Sequence, residues 1–200
     1  MGTSTDSVIE AGLDARTAAT EYLSAHTAYS ATGANEVTGG SYARQLMSWD
    51  AAASRIADNT DAESIPIPSG TTVRWLGRFS AVTAGTFYGM TPNGSTVAHV
   101  CVGLDTGTIY APAHGFVEGD TVTFLEIDGA VPTGLTAGTV YYVRAAPGTD
   151  TFEVSATDGG AAVTITASKA AIVFDIVEET FAADGTLELA AGAFDMVGYS

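Results

Sequence analysis

Hydrophobic and polar residues follow a helical period near the N-terminus and the period of strands after it. Residues 7 to about 23 carry an apolar stripe at helical spacing. The stripe is narrow and rich in alanine, and its members are Val8, Ile9, Leu13, Ala18 and Tyr22. The pattern predicts one N-terminal helix that packs against a sheet or a neighbouring subunit.

Alternating runs over residues 22–27, 42–49, 73–79 and 86–90 predict strands. Between the first two lies a polar segment, residues 33–45, with glycines at 33, 39 and 40; we call it the crossing. Since glycine reaches positive φ without steric cost, the crossing is expected to turn sharply and to lie close to its neighbours. Residues 65–68 read Ile-Pro-Ile-Pro, and the prolines predict an edge strand or an extended connection.

From residue 97 the strand-like runs become short and evenly spaced. They cover residues 97–104, 108–111, 121–127, 139–144, 151–155, 162–166 and 171–176, with Gly- and Asp-containing turns between them. Such spacing predicts a compact β-module, either a small sandwich or a barrel. After it, Phe181, Leu187 and Leu189 alternate with polar neighbours, and Asp184-Gly185 is a hairpin signal.

The composition and the net charge limit the kinds of partner that the chain can bind. The 200 residues are 46% hydrophobic, which is ample for a core, and the formal net charge is -16. An acidic surface repels phosphate and anionic lipid, so we expect no nucleic-acid binding and no membrane insertion. The first residues lack the features of a secretory signal, and no apolar run approaches the ~20 residues of a membrane span. Synthesis and assembly in a cytoplasm are therefore expected.

The residue pattern predicts no catalytic, metal or cofactor site. Cys101 is the only cysteine and lies in an apolar run, which favours a buried side chain over a reactive thiol. The three histidines have no partners at metal-ligand spacing, and no nucleophile elbow occurs. Asp58, Asp61 and Glu63 form a tight acidic cluster without the spacing of a calcium loop, so a solvated turn is favoured.

Arginines and aromatic residues on adjoining predicted strands are the candidate interface. With seven cations in the chain, three arginines close together indicate either internal pairing with carboxylates or contact with an acidic neighbour. Aromatic side chains can offer flat faces to a sugar ring or anchor a partner, although burial in the core is their default. The candidate residues are Arg44, Arg74, Trp75, Arg78 and Tyr88.

The order of several motifs over roughly the first 90 residues resembles the minor tail and tail-fibre proteins of bacteriophages that infect actinobacteria. The motifs are residues 22–27 (YLSAHT), 32–45 (TGANEVTGGSYARQ), the alanines at 51–53, 70–79 (GTTVRWLGRF) and 84–89 (AGTFYG). Residues 106–176 resemble a β-module of tail fibres and other virion surface proteins, through 113–124 (AHGFVEGDTVTF), 131–143 (VPTGLTAGTVYYV) and 150–155 (DTFEVS). The segment after residue 178 is similar to the closing strands of the tail-protein family.

This resemblance implies a mainly β protein with a β-sandwich-like base domain, begun by the helix and formed by residues 1–97 and 177–200. Residues 98–176 would be an inserted small β-sandwich or barrel. The implied function is that of a non-enzymatic virion protein, a minor tail or tail-fibre component. Such a protein would bind other virion proteins and form a homo-oligomer, with a trimer favoured. The alternatives are a capsid decoration protein or head fibre, and a carbohydrate-binding module that contacts a host-surface glycan.

Overall fold

The computed structural model describes residues 3–94, 98–144 and 148–197. The described chain is mainly β, with one helix, α1, at Thr3–Thr17. The strands of the first part are β1 Glu21–His26, β2 Gln45–Met47, β3 Ile56–Asp58, β4 Glu63–Ile67, β5 Thr71–Val73, β6 Trp75–Phe79 and β7 Phe87–Pro92. They are followed by β8 Ala98–Gly103, β9 Ile109–Tyr110, β10 Thr121–Glu126, β11 Val140–Val143, β12 Thr151–Phe152, β13 Val154–Ser155 and β14 Lys169–Asp175. The last strands are β15 Glu179–Phe181, β16 Gly185–Leu189 and β17 Asp195–Val197.

The helix is shorter at its C-terminal end than its stripe predicts. Leu13 is buried and packs with Ala57 of β3, and Ile9 packs against the same cluster. The helix ends at Thr17, with Arg16 in its last turn, where a cation is favourable. Tyr22 belongs to β1 instead, because β1 pairs with β2 on one side and with β6 on the other. Tertiary pairing thus overrides the local helical period in residues 18–23.

The described chain divides into two compact units. The first comprises Met1–Thr27, Ala31–Thr91 and Glu179–Ser200, and the second comprises Ala28–Ser30 and Pro92–Glu178. In the first unit, β2, β1, β6 and β7 form a four-stranded sheet in that order. The C-terminal strands β15, β16 and β17 pair antiparallel with β5, β4 and β3. The polypeptide therefore leaves this unit after β7 and returns to it with β15.

No hairpin forms at Asp184-Gly185, so the prediction made from this dipeptide is wrong. Strands β15 and β16 flank this dipeptide but pair with different strands, β5 and β4. Asp184 instead accepts a hydrogen bond from the backbone N–H of Ser69 at 2.8 Å, and the hydroxyl of Ser69 donates to the carbonyl of Ala182 at 2.9 Å. These bonds fix a corner between two strand pairs. Strand β4, which contains Pro66, occurs only in a two-stranded pair, in agreement with the edge position predicted from the prolines at 66 and 68.

The first unit buries one main apolar cluster. Strands β1, β4 and β6 supply it with Leu23, Ala25, Ile65, Ile67 and Leu76, and the C-terminal segment adds Leu187 and Phe194. Strand β4 is buried at alternate residues, as period-2 geometry requires of a strand with one face on the core. The C-terminal residues are therefore part of the core that the early strands begin.

The second unit is a seven-stranded sheet that curls into a barrel. Its strand order is β12, β9, β8, β14, β10, β11 and β13. The two edge strands, β12 and β13, are consecutive in the chain and only Glu153 separates them. One extended stretch therefore belongs to both edges, which brings the edges together and leaves the sheet nearly closed. Side chains of alternate residues fill the interior, including Cys101, Phe124, Tyr141, Phe152 and Val173.

Residues 162–166, predicted as a strand, do not form one. Ala162 makes an isolated bridge to Ser155, and Thr166 donates its backbone N–H to Thr133. Ile165, from the same segment, is buried in the barrel core. The apolar alternation there reflects the filling of the barrel interior by an irregular segment. Val97, which the sequence places at the start of β8, lies outside the described residues.

Candidate interaction surface

The crossing is held together by Glu36. Arg44 donates to both carboxylate oxygens of Glu36, from Nε at 2.7 Å and from Nη2 at 2.6 Å, and the hydroxyl of Tyr42 adds a third bond at 2.8 Å. The remaining Nη1 of Arg44 donates to the carbonyls of Ala81 and Ala84 at 2.8 and 2.6 Å. The fork of the guanidinium suits this bidentate geometry. Arg44 therefore ties the crossing to the β6–β7 connection.

Burial makes this ion pair matter to stability. The side chain of Arg44 is only 8% exposed and that of Glu36 is 20% exposed. The guanidinium carbon lies 3.4 Å from the centroid of the Phe79 ring, where cation–π attraction adds to the hydrogen bonds. Burial opposes ionisation of Glu36, but the bonds from Arg44 and Tyr42 outweigh it and lower the pKa of Glu36. Burial, followed by the charge of Glu36, raises the pKa of Tyr42.

Glycine is required where the crossing approaches β6 and β7. Gly33 has a φ of 80°, and a Cβ at this position would lie 2.8 Å from carbons of Phe79 and Phe87. That distance is shorter than normal van der Waals contact, and the left-handed backbone adds strain for any other residue. The close approach expected of the crossing from its glycines is present at this point.

His26 lies beneath the crossing and is fully buried. Its Nδ1 is 2.9 Å from the carbonyl oxygen of Ala34 and its Nε2 is 2.8 Å from the hydroxyl of Ser24. A carbonyl only accepts, so Nδ1 carries the proton and Nε2 accepts from Ser24. Gly77 faces this pair, and a Cβ there would collide with Nε2 of His26. Burial lowers the pKa of His26, partly offset by the bond to Ala34 and the charge of Glu36.

The other two candidate arginines also have partners within the chain. Arg78 on β6 donates to Glu21 on β1 at 3.0 Å, and both side chains are largely buried. Arg74 donates to the carbonyl of Thr27 at 2.9 Å. Pairing with a carboxylate of the same chain is therefore found for Arg44 and Arg78, while Arg74 bonds to a backbone carbonyl. Glu21 and Glu36 were not singled out from the sequence, because nothing local marks a carboxylate as the partner of a distant arginine.

The two candidate aromatic residues differ in exposure. Trp75 is 0% exposed and its ring lies in the interior, so it offers no platform at the surface. Tyr88 on β7 is 40% exposed. Among the other candidates, Trp75 is buried, whereas Arg44, Arg74 and Arg78 are intermediate in exposure. Tyr88 is the most exposed member of the candidate set.

Two shallow depressions flank the crossing. One has a volume of about 380 Å³ and is lined in part by Thr38, Tyr42 and Val82. The other has a volume of about 250 Å³ and lies beside Ser41, Pro68 and Asp184. The first is lined by backbone and side chains that already bond to each other around Arg44. Both depressions are open to solvent.

The barrel has an apolar outer surface that the sequence reasoning missed. Its outward residues on β8, β9, β10 and β14 form two cross-strand rows: Tyr110 faces Val102, which faces Ala170, and Val100 faces Ile172, which faces Leu125. We call these six residues the barrel face. Val100 is 65% exposed and Tyr110 is 43% exposed. The sequence signal for this surface is that β8 and β14 carry apolar residues on both sides of the strand. A strand with one side in water normally carries polar residues on that side.

A buried amide, that of Asn59, lies within the acidic segment and bonds to backbone groups. Asn59 is buried, its Nδ2 donates to the carbonyls of Asp61 and Ala190 at 2.6 and 3.0 Å, and its Oδ1 accepts from the N–H of Phe194 at 2.9 Å. Burial, followed by the charge of Asp61, raises the pKa of Glu63. Among residues 3–94, 98–144 and 148–197, no group of three or more His, Cys, Asp or Glu side chains is arranged to hold a metal ion.

Cys101 lies inside the barrel and is buried. Burial raises the pKa of its thiol to about 12, against a smaller opposing effect of a hydrogen bond with the backbone of Ala171. A thiol in this state carries little thiolate at neutral pH. Within the part of the chain that the structure describes, no helix is long and apolar enough to cross a membrane.

A scan against protein-family models, a search of curated proteins and a search of solved structures each returned no match.

Proposed function

We propose that this chain is a structural subunit of a bacteriophage virion, a minor tail or tail-fibre component, assembled in the host cytoplasm. Two lines support the proposal. The first is the ordered resemblance of residues 22–89 and of the barrel sequence to such proteins. The second is the architecture, in which one unit is begun by the early strands, closed by the last ones, and carries the barrel-like sheet between β7 and β15.

The observation that carries the proposal is the pairing of the C-terminal strands with β3, β4 and β5. It makes the barrel an insertion between neighbouring parts of one unit, so the barrel can vary without disturbing the pairings of the host unit. This is the arrangement that a particle protein needs when one part binds other virion proteins and another part faces solvent or a host surface. Copies of the chain are expected to form a symmetric homo-oligomer, with a trimer favoured.

The first test is particle association. Phage particles are purified by density gradient, treated with protease and high salt to remove adsorbed protein, and examined by quantitative mass spectrometry. A known structural protein of the same particle is the positive control, and an abundant non-structural protein of the infected cell is the negative control. We expect peptides of this chain at a fixed ratio to the structural protein. Purified particles that lack the chain would refute the proposal.

The position on the particle separates the tail from the head. Antibody against the chain, imaged by electron microscopy, is expected to label the tail or its fibres. Labelling of the capsid would replace the tail assignment by that of a decoration protein or head fibre.

Carbohydrate binding is the second candidate function, and the exposed ring of Tyr88 is the observation that favours it. Trp75 was the other residue considered for stacking on a sugar, and its burial removes it. We expect a glycan-binding module to lose affinity on Tyr88→Ala, because a stacked ring contributes much of the contact. Tyr88→Phe, which keeps the ring, is the matched control. Equal glycan binding by all three proteins, or none, removes this candidate.

A further inference from the structure

The loop between β9 and β10 sends two ring side chains into the barrel interior. His114 is 5% exposed and Phe116 is 8% exposed. They lie at the end of the barrel where β8, β10 and β12 begin, because the antiparallel pairings bring these starts together. The centroid of the Phe116 ring is 5.3 Å from those of His114 and Phe152. It is also 5.5 Å from the ring of His99 on β8. We call residues 113–117 the plug.

The hydrogen bonds of the plug fix the neutral form of His114. The backbone N–H of Phe116 donates to Nδ1 of His114 at 3.0 Å. A ring nitrogen that accepts a hydrogen bond carries no proton, so the proton of the neutral ring is on Nε2. Nε2 is buried, and within residues 3–94, 98–144 and 148–197 it has no hydrogen-bond partner. The ring is therefore held by one bond, and that bond requires Nδ1 to be unprotonated.

The backbone of the plug is strained. Ala113 has a φ of 50°, in the left-handed region that disfavours a residue with a Cβ, and Gly115 has a φ of 71°. Two carboxylates hold the ends of the plug. Asp150 accepts from the N–H of Ala113 at 2.9 Å, and Asp120 accepts from the N–H of Val117 at 2.7 Å. Strained segments persist only while their surroundings hold them, and they occur at switch regions.

Uptake of a proton by His114 removes the bond on which the closed plug depends. When a proton from solvent binds Nδ1, the ring carries an N–H group on both nitrogens and accepts nothing. The N–H of Phe116 then faces another donor. The positive charge lies among aromatic rings, and a buried charge without a partner is strongly unfavourable. The charged ring is accommodated when the plug moves into water.

Other charged groups at this end of the barrel also act on the charged ring. On the loop and the strands around it they are His99, Glu118, Asp120, Arg144, Asp150, Glu153 and Asp175. A protonated His99 repels the imidazolium, whereas carboxylates attract it. Asp120 and Asp150 already accept backbone N–H groups of the plug. Burial, followed by the charge of Asp120, raises the pKa of Asp175 on β14. A test must therefore separate His114 from these neighbours.

We propose that the plug is a pH-operated lid of the barrel, which is closed while His114 is neutral and opens when the ring takes up a proton. Histidine is the side chain that changes its charge between about pH 5 and 8, so mild acidification is the trigger. Opening uncovers the rings of Phe116 and Phe152, which are otherwise interior. Protonation of buried histidines acts through two-state elements of this kind. The inference concerns the barrel alone and does not depend on the virion assignment.

The experiment is NMR spectroscopy of the full chain, of 20.3 kDa, at several pH values. It measures the hydrogen-exchange protection factor of the Phe116 amide, which removes the intrinsic pH dependence of exchange. One proton bound only by the open state lowers this factor about tenfold from about pH 7.5 to 5.5, given about 6.5 for a solvent-exposed histidine. The amide of Gly138 is the internal reference and should keep its protection. It donates to the carbonyl of Phe124 at 2.9 Å, at the opposite end of the barrel.

His114→Asn is the matched variant. The Oδ1 of asparagine can accept the N–H of Phe116 in place of Nδ1 but does not titrate, and every other charged group stays in the chain. We expect the wild type to lose protection at Phe116 about tenfold and H114N to keep it. An unchanged protection factor in the wild type, or an equal loss in H114N, would overturn the inference.

The ring nitrogens of the wild type give a second measurement that needs no variant. At the upper end of the pH range, their nitrogen-15 shifts should show Nδ1 of His114 unprotonated and Nε2 protonated. The pH at which Nδ1 gains its proton should coincide with the pH at which Phe116 loses protection. If circular dichroism shows that H114N is unfolded, this coincidence carries the test. The opposite tautomer, or two separate midpoints, contradicts the proposed lid.

Discussion

The Glu36–Arg44 pair gives the sharpest test of how the first unit is held together. The perturbation is Arg44→Met, which keeps much of the volume and removes the charge. Glu36 would be left without its bidentate partner, and the carbonyls of Ala81 and Ala84 would lose their donor. Removing one partner of a buried pair costs about 3–5 kcal/mol. The partial exposure of Glu36 places the expected loss toward the lower end of this range.

A double-mutant cycle separates the pair from its surroundings. Glu36→Gln keeps the shape of the side chain but removes its charge, and it is combined with Arg44→Met. If the two residues act as a pair, the double variant should be more stable than the sum of the single losses predicts, by about 1–3 kcal/mol. The bonds from Arg44 to the two carbonyls and its contact with Phe79 remain outside this coupling, so Arg44→Met alone should cost more than Glu36→Gln alone.

The assay is urea unfolding followed by tryptophan fluorescence. Both tryptophans of the chain, Trp49 and Trp75, belong to the first unit, so the signal reports on that unit. Arg144→Met is the control, and its unfolding is followed by far-UV circular dichroism because Arg144 belongs to the second unit. Arg144 pairs with Glu153 in the barrel at 3.4 Å with both side chains 36% exposed. Such exposed pairs contribute little. A loss below about 1 kcal/mol for Arg44→Met, or additive single losses, would refute the role assigned to the pair.

Three further predictions concern single residues. Folding lowers the pKa of His26, so near and below neutral pH the unfolded state binds more protons than the folded state. The stability that the neutral imidazole provides is therefore complete above the unfolded pKa of about 6.5. It is lost as the pH falls below that value. The urea midpoint, read by tryptophan fluorescence between pH 7.5 and 5.5, should fall, and His26→Asn should flatten this dependence; equal slopes would contradict the prediction. Gly33→Ala should cost about 1–3 kcal/mol more than Gly39→Ala, because both glycines have positive φ but only a Cβ at 33 meets Phe79. Equal losses in the same urea assay would show that the contact is unimportant. Cys101 should react with a thiol reagent only after denaturation, since its thiol is buried and its pKa is raised to about 12; rapid labelling of the native protein would count against the barrel interior assigned to it.

Local pattern predicted most of the strands, because short apolar runs bounded by turn residues are a property of a strand's own residues. The runs that became β1, β8, β10 and β14 each contain residues that the structure buries, such as Leu23, Cys101 and Val173. The mainly β class followed from these runs and from the Gly- and Asp-containing turns between them. Glycine chemistry likewise located the crossing, since Gly33 has the positive φ and the close approach that its residue type permits.

Features that depend on distant pairing could not be read from local pattern. The apolar alternation of residues 162–166 is the same whether they form a strand or fill a barrel end, and only the position of Ile165 in the core decides between them. Asp184-Gly185 has the composition of a hairpin turn, yet β15 and β16 find partners more than a hundred residues away. Long-range closure of this kind is set by the whole fold and not by the turn.

The candidate interface illustrates a second limit. Residue type indicated that Arg44, Arg74 and Arg78 need acceptors, but it did not say whether those acceptors lie within the chain. The structure supplies them from Glu36, Thr27 and Glu21. The barrel face was not predicted for a different reason. Both sides of β8 are apolar, and sequence alone does not say which side is exposed. An apolar residue such as Val100 therefore looks like a core residue until its exposure is known.

The two edges of the barrel meet in a single extended stretch, residues 151–155, which we call the seam. Phe152 and Val154 both point inward although they serve opposite edges, and only Glu153 spaces them. One residue inserted here would shift the following strand by one position and turn its apolar side chain toward water. A peptide cleavage at the same point would uncover the hydrogen-bonding edges of β9 and β11 together, and free edges are templates for aggregation. The seam therefore tolerates substitution at its spacer far better than any change in its length.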